Sequence, residues 1–249
     1  MKKWVALFVA VLIIGTIFSG TLAEIKERGK LIIGTEPTFP PFEYVNEKNE
    51  IVGFDIDIAQ KIADELGVEL EIVNLPFDSL IPALMSDKID LIVAGMTITE
   101  ERAKVIDFSI PYFNANQAIV VRGNEGFMPA TLEDLKGKRV AVQLGTTGDL
   151  VVSDIKEIMV TRFQKFTDAF LELQNKRVDA VVLDEAVANA YVKTFPKFVV
   201  SAIIDTGEKY GIGVKKGNTE LLEFVNTVVS NLFKSPYDLL VEKWFEETK

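Results

Sequence analysis

Arg102 stands where helix electrostatics disfavour a cation. It ends "AGMTITEER" (94–102), just after the apolar run "IDLIVAG" (89–95). Thr99 reads as a helix N-cap, and Glu100 and Glu101 suit the positive end of a helix dipole. A cation in that first turn costs roughly a few tenths of a kcal/mol. The turn also gathers backbone N–H groups, the hydroxyls of Thr97 and Thr99, and one guanidinium. A carboxylate needs such charge-assisted donors. Pairing of Arg102 with Asp107 or another surface acid accounts for the position equally well.

Four further stretches set polar or aromatic groups near strand ends. "GTEPTFPPFEY" (34–44) runs from a strand into a turn that Pro37, Pro40 and Pro41 bar from helix, displaying Glu36, Phe39 and Phe42. Open α/β sheets bind ligands at such strand ends. Phe42 reads as a plug of the edge and Phe39 as a ligand contact. In "IVGFDIDIAQKI" (51–62), Asp55 is a natural N-cap, Asp57 suits the first turn, and Phe54 is either a staple or a pocket wall. In "VQLGTTGDL" (142–150), Gly145 permits a tight turn and Thr146 and Thr147 offer donors toward an anion, without the spacing of a nucleotide loop. In "VDAVVLDEAVANAYV" (178–192), Asp184 ends a buried strand where a helix begins. It can cap that helix, receive an ammonium group, or do both.

The elements that must position these residues alternate in type. Candidate strands are 30–35, 68–75, 89–95, 117–122, 139–145, 159–163, 178–184, 198–204 and 211–216. Helical periodicity marks 54–67, ending in Gly67 as a C-cap, then 77–88, 167–177, 218–235 and 236–247. The alternation predicts an α/β protein with largely parallel sheets, in two β-α-β patterns over about 30–110 and 117–205. The first half is short of covering helices, so the C-terminal segment is expected to return to it. The amphipathic helix from Pro236 could dock in its own chain or, after a hinge change near Ser235, in a neighbour's, which leaves monomer and dimer open.

Composition removes several chemistries. The 249 residues contain no Cys and no His. Disulfides, thiol catalysis, a lipid-modified cysteine, zinc centres of the usual kind and imidazole acid–base chemistry go with them. No metal or cofactor is expected, though an enzyme built on carboxylates alone stays possible. Met1-Lys-Lys3, an apolar run from Trp4 to Phe18 and small residues to Ala23 read as a secretory signal peptide over 1–23, cut after Ala23. Loss of Lys2 and Lys3 takes the net charge from −10 to −12, which argues against nucleic acid as a partner. Export without a lipid anchor points to a periplasm.

In order and spacing, "GFDIDIA", "AGMTITEERAKVIDFSIPYF", "VAVQLGTTGD", "VDAVVLDEAV" and "YGIGVKK" resemble the periplasmic polar amino-acid-binding proteins of ABC importers, solute-binding protein family 3. The likeness covers essentially all of the chain after the leader and is strongest to thermophilic arginine-binding members. It implies a two-lobed periplasmic binding protein fold of type II with two hinge strands. Lobe 1 would be 24–112 and 211–249, lobe 2 would be 117–205, and the hinge 112–116 and 206–210. By position, Arg102, Thr97 and the Thr147 backbone would hold the ligand α-carboxylate. Asp184 and the Gly95 carbonyl would hold its α-amino group. Phe39 and Phe54 would sandwich the side chain, with Glu36 and Gln143 at its far end. The partner would be a membrane permease.

A charge count extends that implication. Arg102 matches one carboxylate and Asp184 one ammonium, which leaves Glu36. A desolvated anion without a partner is costly, so a cationic ligand side chain is expected: arginine first, then lysine or ornithine. The alternatives are glutamine or another polar amino acid in the same role, or a periplasmic cyclohexadienyl (prephenate/arogenate) dehydratase with Glu36 as its acid.

Overall fold

The computed structural model describes residues 20–235 and 237–246. Most of the expected leader, residues 1–19, lies outside that range. The chain begins with α1 (Leu22–Arg28), capped by Thr21 in a reciprocal box with Glu24. The cut expected after Ala23 falls inside this helix and would remove its cap. Strand β1 (Lys30–Thr35) follows, then the short strands β2 (Thr38–Phe39), β3 (Glu43–Val45) and β4 (Ile51–Val52). Next come α2 (Phe54–Leu66), β5 (Glu69–Asn74), α3 (Leu80–Met85), β6 (Leu91–Ile92), α4 (Glu100–Ala103) and β7 (Ile106–Phe108). The second half holds β8 (Phe113–Arg122), β9 (Arg139–Gln143), α5 (Thr147–Ser153), β10 (Met159–Phe163), α6 (Phe166–Gln174), β11 (Ala180–Asp184), α7 (Glu185–Thr194) and β12 (Phe198–Tyr210). Then β13 (Gly213–Lys215), α8 (Thr219–Lys234) and α9 (Tyr237–Val241) precede one π-helical turn, Glu242–Glu246.

Two five-stranded sheets carry the fold, in the orders β5-β1-β6-β13-β7 and β10-β9-β11-β8-β12, beside a β2-β3-β4 meander. The sheets are more mixed than the largely parallel ones expected. β1 runs parallel to β5 and β6, and β9 to β10 and β11. β13 is antiparallel to β6 and β7, and β8 to β11 and β12. The parallel strands are joined through helices, as parallel pairing requires. β8 enters the second sheet straight from the first with no helical crossover, and it runs against its neighbours.

Helices form where apolar residues recur at helical spacing. Phe54, Ile58, Ile62 and Leu66 of α2 are buried, and Gly67 closes that helix at φ 73°. Phe166, Ala169, Phe170 and Leu173 bury one face of α6, and Leu221, Val225, Val228 and Leu232 one face of α8. Each of these side chains except Ala169 contributes about 1.5–3 kcal/mol by leaving water. The C-terminal elements fold back onto α2: Asp57 accepts from Trp244 Nε1 at 2.7 Å and from Lys243 Nζ at 2.6 Å. Tyr237 donates to the Tyr112 carbonyl at 2.8 Å, so α9 docks in its own chain. Among the described residues no helix is long and apolar enough to cross a membrane.

Several strands depart from their expected lengths, β6, β8 and β12 most consequentially. β6 pairs only at Leu91 and Ile92, because the chain turns out of the sheet at Gly95, at φ 50°, where Asp55 accepts its N–H at 2.7 Å. β12 runs on to Tyr210, and β8 begins at Phe113. Tyr210, Lys209 and Glu208 pair with Phe113, Asn114 and Ala115, with a register shift between Ile204 and Glu208. Residues 113–116 and 206–210, within the segments expected as the hinge, therefore lie on the β8–β12 strands at and beyond that shift.

Candidate functional site

Residues at or just past the ends of β1, β5, β6, β9 and β11, with Phe39 and Glu43 from the β2–β3 hairpin, close around one cavity of about 10 Å³. That is room for about one water, so an amino acid enters only when the walls part. Arg102 lies at one end, 8 % exposed. Its Nη1 donates to the Thr97 carbonyl at 2.6 Å and its Nη2 to the Gly145 carbonyl at 2.9 Å. Thr97 follows β6 of the first sheet and Gly145 follows β9 of the second, so one guanidinium spans both. It also lies over the Phe77 ring, 5.3 Å from its centre. Burial draws Arg102 down to about 10, opposed by the charges of Asp184 and Glu208, and it stays cationic at neutral pH. Thr99 does cap α4, accepting from the Arg102 N–H at 3.2 Å. But α4 is a single turn, so its dipole acts weakly on Arg102, and the carbonyls hold the guanidinium.

Asp184 occupies the N-cap position of α7 without making a side-chain cap bond. Its Oδ2 instead accepts from the Tyr210 hydroxyl at 2.6 Å, and the residue lines the cavity. Burial and the charge of Glu208 push it up to about 7, against hydrogen bonds from Tyr210 and Gln117 and the charge of Arg102. Thr97 Oγ1 and Thr147 Oγ1 both donate to Glu208 Oε2, at 2.7 and 2.6 Å. Gly95 lines the wall between them, and no larger residue fits there. A Cβ would stand 2.5 Å from Phe39 Cε1.

Phe39, Glu36, Gln143 and Glu43 form the other end. Glu36 is 3 % exposed, and its Oε2 accepts from Thr38 Oγ1 at 2.6 Å and from Gln143 Nε2 at 2.7 Å. Its Oε1 is buried without a partner, and so is Oε2 of Glu43, which is 1 % exposed. Burial raises both acids from their ordinary value. Glu43 rises far more, because the charges of Asp55, Glu36 and Asp184 add to burial.

The cavity thus brings together Arg102, Thr97, Thr147, Asp184, Gly95, Glu36, Phe39 and Gln143. It leaves out Phe54. That ring is fully buried among Phe42, Tyr112, Phe113, Tyr237 and Phe245, and it makes core rather than pocket wall. Phe77 stands at the cavity instead. It follows Pro76 just past the C-terminal end of β5, the kind of strand-end turn that also carries Phe39, but within the helical periodicity of 77–88 nothing singles it out. Asp55 is not an N-cap; Gly53 holds that position. Asp55 is buried in the first turn and accepts from Gly95 N–H and the Tyr112 hydroxyl, both at 2.7 Å, so it props the Gly95 turn. Burial pushes it up to about 6. Glu43, Glu208 and Tyr210 were also missed. An acid inside the apolar "PPFEYV" was the one available signal for Glu43.

Over residues 31–247 the chain matches the bacterial extracellular solute-binding proteins, family 3. It is 37 % identical to the putative ABC transporter arginine-binding protein 2 of Escherichia coli K12, over 99 % of this chain and 100 % of that protein. It is 58 % identical to holo ArgBP from T. maritima, with a TM-score of 0.85 over 90 % of this chain and 99 % of that one. An ancestral arginine-binding protein bound to glutamine aligns at 52 % identity and a TM-score of 0.84, over 88 % and 98 % of the two chains. Those likenesses run nearly end to end and carry the same two-lobed α/β fold, and the chain belongs to the bacterial extracellular solute-binding proteins, family 3.

Proposed function

We propose that the chain captures a basic amino acid, L-arginine first, between its two lobes and delivers it in the periplasm to the membrane permease of an ABC importer. The observation that carries this is the pair of buried, unpartnered carboxylate oxygens of Glu36 and Glu43 at one end of the cavity, with Arg102 and Asp184 at the other. A guanidinium offers five N–H donors in a fixed plane and one positive charge, which answers both oxygens and favours the ionised form that burial disfavours. In this reading Arg102, Thr97 and the Thr147 backbone take the α-carboxylate, and Asp184 and the Gly95 carbonyl take the ammonium. Phe39 and Phe77 flank the stem, and Gln143 steers Glu36.

The β8–β12 pair serves as the hinge, about 112–116 and 206–210, between a lobe of 24–112 with 211–249 and a lobe of 117–205. Each lobe holds part of the site, so ligand binds the closed form better and shifts the population toward it. The permease then reads the closed shape. Names of relatives support the arginine assignment, and the family name supports binding rather than catalysis.

The test is to refold the exported chain from denaturant, to strip bound ligand, and titrate it calorimetrically. The ligands are arginine, lysine, glutamine, histidine and glutamate. Tight binding of arginine over glutamine is expected. A preference for glutamine would keep the importer role and remove the acids from specificity. No binding at all, with product formed from prephenate or arogenate, would replace the binder by an enzyme.

A further inference from the structure

Glu208 is the acid at the Arg102 end that the proposed ligand contacts do not use. It lies on β12 two residues before Tyr210, with its side chain on the same face. One oxygen, Oε2, accepts from Thr97 Oγ1 at 2.7 Å and Thr147 Oγ1 at 2.6 Å, and Oε1 accepts from Gln117 Nε2 at 3.1 Å. Thr97 follows β6 of the first sheet and Thr147 opens α5 behind β9 of the second. A single carboxylate therefore ties the two halves together beside Arg102. The hydroxyl of Thr97 has one proton to give, and Glu208 holds it. A ligand α-carboxylate needs that same proton, and two carboxylates cannot share the spot without strong repulsion.

Glu208 also has somewhere to go. Thr97, Thr147 and Glu208 line a second, outer cavity of about 480 Å³ with Pro111, Leu150 and Gly207. Thr97 and Thr147 line both this space and the inner cavity, whereas Glu208 lines only the outer one.

We propose that Glu208 is an internal surrogate for the ligand α-carboxylate, which an incoming carboxylate displaces toward the outer cavity and which thereby sets affinity. This rests on the amino-acid-binding reading above. The partner it selects for is any ligand whose own carboxylate can win the Thr97 hydroxyl. Ligands without one leave Glu208 in place.

The experiment is calorimetric titration of the wild-type chain and of Glu208→Ala and Glu208→Gln. The ligands are L-arginine and agmatine, which is arginine without its carboxylate. Removing a competitor for one charge-assisted bond should tighten arginine about tenfold in Glu208→Ala. Glu208→Gln should tighten it less, because the amide oxygen still accepts, and agmatine should hold constant or weaken. Weakening of both ligands alike makes Glu208 a brace and overturns the proposal. Equal tightening of both, or no change in either, overturns it as well. A crystal structure of the arginine complex reads the same point independently. Glu208 should be off both hydroxyls, and a retained bridge sinks the idea. Failure of the wild-type chain to bind arginine would strike the arginine reading itself. Wild-type binding without tightening in Glu208→Ala would strike only the surrogate.

Discussion

The two ends of the cavity differ in how their polar groups are satisfied. At the Arg102 end the recognition groups have partners within the chain. Arg102 holds the Thr97 and Gly145 carbonyls, the two threonine hydroxyls hold Glu208, and Asp184 holds the Tyr210 hydroxyl. At the other end Glu36 Oε1 and Glu43 Oε2 are buried with nothing to accept from. A ligand that binds the first end exchanges one set of hydrogen bonds for another, and the net gain is modest. A cation that binds the second end relieves a standing desolvation cost. In the proposed reading the first end takes the features common to amino acids, and the second discriminates among side chains.

The largest expected effect breaks the common end. Arg102→Ala should cost more than about 2 kcal/mol in affinity, near thirtyfold, because it strands a buried carboxylate. The loss should be similar for arginine, lysine and glutamine, since all three present that carboxylate. Titrations with the three ligands check it, and a loss confined to arginine would place Arg102 at the wrong end.

Changes at the other end should separate ligands. Glu43→Gln and Glu36→Gln should each weaken arginine by about tenfold or more, the worth of a hydrogen bond to a charged group, and barely move glutamine. Glu43→Gln should also raise the melting temperature without ligand, because it removes a buried acid repelled by Asp55, Glu36 and Asp184. A higher melting temperature with arginine affinity intact would show that Glu43 is buried for another reason.

Proton linkage gives the next effect. Asp184 is held up to about 7 from an ordinary value of 3.8, so the folded chain binds its proton more tightly than the unfolded chain. The stability it lends without ligand is full below about 3.8 and is lost as pH rises through about 7. A ligand ammonium needs the anion, so binding below about pH 7 expels a proton. Arginine affinity should fall by up to about tenfold per pH unit on the acid side and level off above. Calorimetry from pH 5 to 8 in two buffers of different ionisation enthalpy reads the released proton directly. A flat profile would mean that the ammonium does not meet Asp184.

The parts of this site that were legible in sequence lie in short turns at strand ends. Arg102, Thr97, Gly95, Thr147 and Asp184 follow apolar runs, where type and place mark them as candidates, and the ordered resemblance to family 3 is what gathers them into one site. The strands and helices are legible too, because their periodicity survives without knowledge of their neighbours. What escaped depends on pairing between distant segments. Glu208 reaches Thr97 and Thr147 only because β12 continues its ladder with β8 past a register shift, and nothing in "DTGEKY" announces that. Glu43 is brought to the cavity by the β2–β3 hairpin, whose strands are only two and three residues long. Phe54 was placed at the ligand and Phe77 passed over for a related reason. Both adjoin helical segments, and which ring faces the cleft is fixed by tertiary packing, not by local pattern.

That pair provides the smallest prediction and a clean one, because the two phenylalanines should respond in opposite ways. Phe54 touches five aromatic rings and no cavity wall, so Phe54→Leu should lower stability by about 1–2 kcal/mol through lost packing. Its arginine affinity should stay within about twofold, since no ligand group meets that ring in the proposed pose. Phe77 is 9 % exposed and faces the Arg102 guanidinium, at the wall where a ligand stem would lie. Phe77→Leu keeps an apolar side chain and removes the π face, which should cost about 0.5–2 kcal/mol in arginine affinity and less for glutamine. Thermal unfolding and titration on the two variants measure both quantities. Should Phe54→Leu lose affinity while Phe77→Leu keeps it, the ring assigned to the core would be the one that reads the ligand, and the lobes would have to meet in another register than the one described.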